Sequence, residues 1–151
     1  MNPEPAFETT IDPSTELQGF LWDQLKAHGL GRLDRPELQE SAQLATTAKH
    51  QGEVVGGLLA AIFYRGYNLQ LLWIREDFRG RGLGKKLLET AEQQARAHRC
   101  TVIFGFSFGF QAPDFYLRAG YRVFGVIEDY PQGYTCHFLS KHLEPPVPGS
   151  V

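Results

Sequence analysis

The run from Leu69 to His98 constrains this chain more than any other stretch. It opens with an apolar segment of strand character, Leu69 to Ile74, and enters a turn dense in glycine and arginine, Arg79-Gly80-Arg81-Gly82-Leu83-Gly84. A helical pattern follows. Leu83, Leu87, Leu88, Ala91, Ala95 and His98 share one face, and Lys85, Lys86, Glu89, Glu92, Gln93, Arg96 and Arg99 fall largely on the other. The charge order is unusual for a helix start. A helix N-terminus carries a partial positive charge and favours Asp or Glu in its first turn. Here Arg79, Arg81, Lys85 and Lys86 surround it, with no acid before Glu89. That arrangement makes sense around a polyanion, which the glycines would let backbone N–H groups approach.

Two phosphate-binding patterns fail on this loop. A GxxxxGK[ST] loop would need glycine where Arg79 stands and Ser or Thr where Lys86 stands. A GxGxxG fingerprint would need glycine at Lys85 or Leu87. The pattern [RQ]xxGx[GA] is met by Arg79, Gly82 and Gly84. Placed directly after a strand and opening a long helix, it resembles motif A of the GNAT family of N-acetyltransferases. The resemblance implies that Arg79, Gly80, Arg81, Gly82, Leu83, Gly84 and Lys85 hold the pyrophosphate of acetyl-CoA. A glycine turn alone would need no ligand; the strand before it, the helix after it and the unneutralised cations ask for one.

The bulk of the chain sets limits. Its 151 residues suffice for one domain with a core, and 42% apolar with 21% charged residues marks a soluble globular class. A net charge of −2 leaves no global nucleic-acid footprint. No basic and apolar leader follows Met1, and no apolar run is long enough to span a membrane. Cys100 and Cys136 lie in no metal-ligand cluster and suggest a reducing, cytoplasmic compartment. The histidines show no zinc spacing, so no metal is expected.

Read in order, Phe7 to Ile11 predicts a first strand, and a helix follows to about His28, with Asp12 or Ser14 as N-cap and Gly29 and Gly31 as its end. Arg32 to Glu40 holds at most a short helical turn. Leu44 to His50, Val54 to Tyr64 and Tyr67 to Ile74 predict an antiparallel meander turning at Gln51-Gly52-Glu53 and Arg65-Gly66, with a bulge or close approach at Gly56-Gly57. Thr101 to Phe108 predicts a buried strand, parallel to the one before the motif because a helix connects them. Ala112 to Ala119 predicts a short helix stopped by Gly120, and Tyr121 to Ile127 and Tyr134 to Leu143 the last strands.

This order resembles the GNAT order from Phe7 to Leu143, and Phe115-Tyr116-Leu117-Arg118-Ala119-Gly120-Tyr121 resembles the family's second motif, FYxxxG[FY]. The implied fold class is α/β (α+β), the GNAT acyl-CoA N-acyltransferase fold. Its sheet would be mixed and mostly antiparallel, with one parallel pair at motif A and flanking helices. Residues 1–143 would form a single domain and 144–151 a tail.

The resemblance implies acetyl transfer from acetyl-CoA, by direct attack in a ternary complex, to an amine of a small molecule or protein. Tyr116 matches the family tyrosine that protonates the CoA sulfur. The backbone of Trp73 and Ile74 would meet the thioester and pantetheine amides, and Gln111 would stand in for a family asparagine whose matching position is Gly109. The base has no obvious owner. Asn68 and Gln70 on the strand cannot accept a proton, Glu76 and Asp77 lie in the turn, and Glu128, Asp129 or water are the alternatives. Trp22, Tyr64, Trp73, Tyr130 and Tyr134 suggest an aromatic-walled pocket, and aromatic core accounts for them equally. Both thiols read as inert. Expected partners are an amine acceptor and a second copy through the last strands, with neither nucleic acid nor membrane. A binding module that senses acetyl-CoA without turnover is the competing reading; an NTP-binding module lacks the Lys–Ser/Thr pair.

Overall fold

The computed structural model describes residues 5–30, 32, 35–111 and 113–144, so Gly31, Ala112 and residues 145–151, named above, lie outside the described residues. The chain separates into two compact units, residues 1–37 and 38–151.

The first unit is built on α1 (Thr15–Leu30). Of the two expected caps, Ser14 serves: its Oγ accepts the Leu17 N–H at 3.2 Å. Gln18 adds a side-chain bond to the Pro13 carbonyl at 2.9 Å. The helix runs through Gly29 rather than ending there. A single 3-10 turn, Pro36–Leu38, matches the short turn expected before the sheet. The expected strand at Phe7 to Ile11 does not form. A strand exists only as a rung of a ladder, and no described strand pairs with this segment. Phe7 and Ile11 are 96% and 86% exposed.

The second unit is a six-stranded sheet in the order β1-β2-β3-β4-β6-β5. Its strands are β1 (Ala42–His50), β2 (Glu53–Phe63), β3 (Gly66–Ile74), β4 (Val102–Phe108), β5 (Arg122–Glu128) and β6 (Thr135–His142). All pairings are antiparallel except β3 with β4, which are parallel as the intervening helix requires. The β1–β2 turn places Gln51 and Gly52 at positive φ, the hairpin geometry that matches strand twist. The β2–β3 turn sits one residue earlier than expected, on Tyr64 and Arg65, also at positive φ. Gly66 belongs to β3 instead, where a Cβ would come within 3.1 Å of the Phe104 ring. The Arg65 carbonyl accepts the Thr101 N–H at 2.8 Å, tying this turn to the start of β4.

Helix α2 (Leu83–Ala97) lies on one face of this sheet. Its predicted apolar stripe is its buried stripe: Leu87, Leu88, Ala91 and Ala95 pack with Leu58, Ala60, Ile62, Tyr67, Leu69 and Ile103. Full burial of each leucine contributes about 1.5–3 kcal/mol. Helix α3 (Pro113–Arg118) is the short second helix, stopped at Gly120 with φ +91°. Phe115, Tyr116 and Ala119 pack against the edge of the same core.

Candidate active site

A fork in the sheet creates the site. β3 and β4 pair only from Gly66 with Val102 to Leu69 with Gly105. Beyond that point both strands continue, β3 held by β2 and β4 by β6, without pairing with each other. The cause lies in β3. Leu71 pairs with Leu59 and Leu69 with Ala60, so Gln70 is an extra residue, a β-bulge. A bulge bends the strand carrying it, here at the last rung shared with β4. At that rung a Cβ on Gly105 would lie 2.6 Å from the Leu69 carbonyl oxygen.

The fork opens into a cleft of about 790 Å³. Its walls are the free edges of β3 and β4, its floor includes Leu69 and Leu139, and its rim reaches Arg79, Gly80, Gln111 and Tyr116. Strand alternation decides which backbone groups face it. The Arg75 N–H is donated to Val55 of β2 at 2.9 Å, so Trp73 also turns its backbone to β2. Ile74, one residue out of phase, turns its own toward the cleft. Of the two residues expected to offer backbone groups, Ile74 has the suitable orientation; Trp73 lines the cleft with its neighbours.

The loop between β3 and α2 is built for close approach. Gly82 is the N-cap of α2 at φ +79°, and Gly80 sits at φ +72°. Neither would meet an atom with a Cβ, so conformation is what requires glycine there. Space is tight at Gly84. A Cβ on it would lie 3.0 Å from Ile74 Cδ1 and 3.3 Å from Phe115 Cζ. No side chain caps the helix, its first turn holds no acid, and its first internal bond runs from the Lys86 N–H to the Gly82 carbonyl. The N–H groups of Leu83, Gly84 and Lys85 are therefore the helix's orphan donors. A polyanion fits this end of the cleft.

The cations are placed unequally. Arg79 lines the cleft and donates its Nε–H to the Ile74 carbonyl at 3.0 Å. Arg81 lies over the Phe78 ring, 5.1 Å from its centroid. Lys85 is exposed on the first turn, and Leu83 points inward toward Gly56. Arg75 takes Asp77 as a bidentate partner at 2.7 and 2.9 Å, which holds the Asp77 carboxyl below its usual range. Asp77 is thus committed to the turn.

Tyr116 lies half-buried on the cleft wall, edge-on to Phe115 and Tyr121 at ring distances of 5.1 and 5.8 Å. Burial raises its pKa. Its hydroxyl bonds to no described residue. Tyr121, also in the wall, closes the second motif, and no role for its side chain follows from the sequence. Its hydroxyl is buried without a partner, and burial foremost, then the charge of Glu92, drives its pKa up. Gln111 folds back on β4, its Oε1 accepting the Phe108 N–H at 3.3 Å. Ser107, buried in the wall, was not singled out from sequence either. Only the broken alternation at Leu69-Gln70-Leu71-Leu72 hinted at the bulge.

No carboxylate or imidazole is among the described residues lining the cleft. Glu128 ends β5, and Asp129 sits in the turn beyond it, where its Oδ1 accepts the Gly133 N–H at 2.6 Å. The expected aromatic cluster divides. Tyr64 stands at the β2–β3 turn and Trp73 at the opposite end of β3, while Tyr130 and Tyr134 meet Phe108 and Phe110 at 5.5 and 5.0 Å. Trp22 belongs to the other unit. Both cysteines are free and buried, and burial raises their thiol pKa values. Among the described residues there is no cluster of three or more potential metal ligands, and no helix long and apolar enough to cross a membrane.

Residues 10–121 match the model of the acetyltransferase (GNAT) family. The chain is 37% identical over 123 residues to a blasticidin-S acetyltransferase from Streptomyces morookaense, covering 78% of this chain and 90% of that protein. Among solved structures, an acetyltransferase from Bacillus cereus superposes with a TM-score of 0.78 at 31% identity, over 89% of this chain and 98% of the other. An aminoglycoside 6'-N-acetyltransferase complexed with coenzyme A shares the fold, with a TM-score of 0.63 at 18% identity over 92% and 98% of the two chains.

Proposed function

Since the chain belongs to the GNAT family and is an acetyl-CoA-dependent acyltransferase, we propose that the forked cleft is where it transfers acetyl to the amine of a small molecule. The observation that carries this is the continuity of two features. A strand edge with unpaired backbone runs directly to a helix start with uncapped N–H groups. The helix end suits a pyrophosphate and the strand edges suit a chain of amides, which are the two recognition elements of coenzyme A. The relative named for blasticidin-S supports a small-molecule acceptor, and the coenzyme A complex of a protein of the same fold supports the donor.

Acetyl-CoA supplies an activated thioester to this site. Gly82, Leu83, Gly84 and Lys85 hold the pyrophosphate, assisted by Arg79, Gly80 and Arg81. The Ile74 N–H, turned away from β2 and toward the cleft, is suited to donate to the thioester oxygen as it gains negative charge. The acceptor nitrogen forms a bond to the acetyl carbon, the C–S bond breaks, and the leaving sulfur takes its proton from the Tyr116 hydroxyl. The amine loses its own proton to water, because the cleft walls carry no group that titrates as a base near neutrality.

Calorimetric titration with acetyl-CoA tests this. Gly82→Val puts a side chain into open space but penalises the positive φ. Wild type should bind, and the variant should bind at least about tenfold more weakly. A folded wild type that does not bind acetyl-CoA overturns the proposal.

A further inference from the structure

Five aromatic rings continue the cleft outward from the end of β4. Phe106 meets Phe108 edge-on at 5.5 Å, and Phe108 stacks on Phe110 at 5.5 Å with only 9° between the rings. Tyr130 stands against Phe108 and Tyr134 against Phe110. Phe106, Phe108 and Phe110 belong to the cleft wall, so the platform and the acetyl-transfer site are one surface.

The platform is exposed, yet it is held in shape. Phe106, Phe110, Tyr130 and Tyr134 each leave between 51% and 56% of their surface to solvent. Three hydrogen bonds close the turn that presents the tyrosines: Tyr130 N–H to Tyr134 O at 3.0 Å, Tyr134 N–H to Pro131 O at 2.8 Å, and Gly133 N–H to Asp129 Oδ1 at 2.6 Å. The edge-on and stacked contacts among the rings hold them in place and leave aromatic surface free for a ligand. Charge narrows the ligand further. Among the described residues lining the cleft, Arg79 is the one with an ionic side chain, and it is a cation. Asp129, the acid nearest the tyrosines in sequence, is engaged in its own turn. A polycationic acceptor would meet no counter-charge among the described residues lining the cleft.

Resting on the acetyltransferase reading above, we propose that the acceptor is an amine bearing a flat, uncharged ring, which packs against the rings of Phe106, Phe108, Phe110, Tyr130 and Tyr134. The platform orients the ring at the cleft mouth and leaves the amine to enter. Phe110 and Tyr134, an edge-on pair with both rings more than half exposed, decide between flat and puckered acceptors.

The test compares 2-phenylethylamine, 2-cyclohexylethylamine and spermidine, titrated into protein saturated with coenzyme A. Phenyl and cyclohexyl differ in flatness far more than in size. Wild type should bind the phenyl amine about tenfold more tightly than the cyclohexyl amine. The Phe110→Leu and Tyr134→Leu variants, both at half-exposed positions, should lose most of that preference. Equal binding of the two ring amines, tighter binding of spermidine, no binding of any amine, or a preference intact in both variants overturns the proposal. Failure to bind coenzyme A at all counts instead against the acetyltransferase site itself.

Discussion

Burial keeps the Tyr116 phenol protonated into alkaline solution, because the phenolate would lose its hydration. A general acid must hold its proton, so the raised pKa suits the role given to Tyr116. The sign of the pH dependence follows. Activity is lost when Tyr116 ionises, above its ordinary value of about 10. At lower pH the limiting group is the acceptor amine, since the cleft wall has no titrating base. The logarithm of kcat/KM should climb with unit slope to the amine's own pKa, without a break in the carboxylate or histidine range. Tyr116→Phe should lower kcat about 100-fold and leave that slope in place. A steady-state pH profile on both proteins checks this, and a break near pH 6 in the wild type would reveal a base outside the wall.

At the scale of elements, α2 sacrifices stability at its start for binding. An acid in the first turn of a helix contributes about 0.3–1 kcal/mol, and α2 has none there. Lys85→Glu should therefore raise the denaturation midpoint slightly while weakening acetyl-CoA binding about tenfold or more at low salt. Opposite signs from one substitution separate a functional charge from an incidental one; thermal melts and calorimetry read them. The bulge in β3 is the second such element. Deleting Gln70 removes the extra residue between Leu69 and Leu71 and gives β2 and β3 one continuous register. A straight β3 would no longer diverge from β4. The deletion variant is expected to stay folded by circular dichroism and to lose acetyl-CoA binding. Retained binding would show that the fork does not depend on the bulge.

Across the whole molecule, α2 is fastened to the sheet by polar bridges as well as by leucine packing. The Tyr67 hydroxyl donates to Gln94 Oε1 at 2.8 Å, and Gln94 Nε2 donates to Thr46 Oγ1 at 2.8 Å, joining β3, α2 and β1. On the other side Lys141 Nζ bridges Glu92 of α2 at 2.8 Å and the Ala119 carbonyl at 2.9 Å. Tyr67 is buried, and desolvation pushes its pKa up to about 12. Its folded value exceeds its unfolded value near 10, so its contribution is fully present below about pH 10 and is lost as the pH climbs through about 12. Urea titrations at stepped pH should show stability falling in that window. Tyr67→Phe should reduce the alkaline loss and cost about 1–2 kcal/mol at neutral pH, because Gln94 Oε1 loses its donor. An unchanged alkaline slope in the variant would assign the loss elsewhere.

Short-range spacing along the chain accounts for the local features. The helix of Leu83 to Ala97, the glycine turn before it and the stop at Gly120 follow from spacing and backbone preference over a few residues, and the unneutralised cations of the loop are visible without coordinates. The parallel pairing of β3 with β4 also follows, since a helix between two strands leaves that topology. Other features depend on partners distant in the chain. Phe7 to Ile11 has the composition of a strand but no described ladder to join. The fork needs β2 and β6 to hold β3 and β4 apart, so its opening after Leu69 and Gly105 is invisible along either strand alone. Gly82 and Gly84 look alike in the motif, yet one is favoured by its positive φ and the other is crowded by Ile74 and Phe115 packed against it. Spacing along a chain encodes conformation; which atoms occupy the space around a residue is settled only when strands and helices far apart in sequence are brought together.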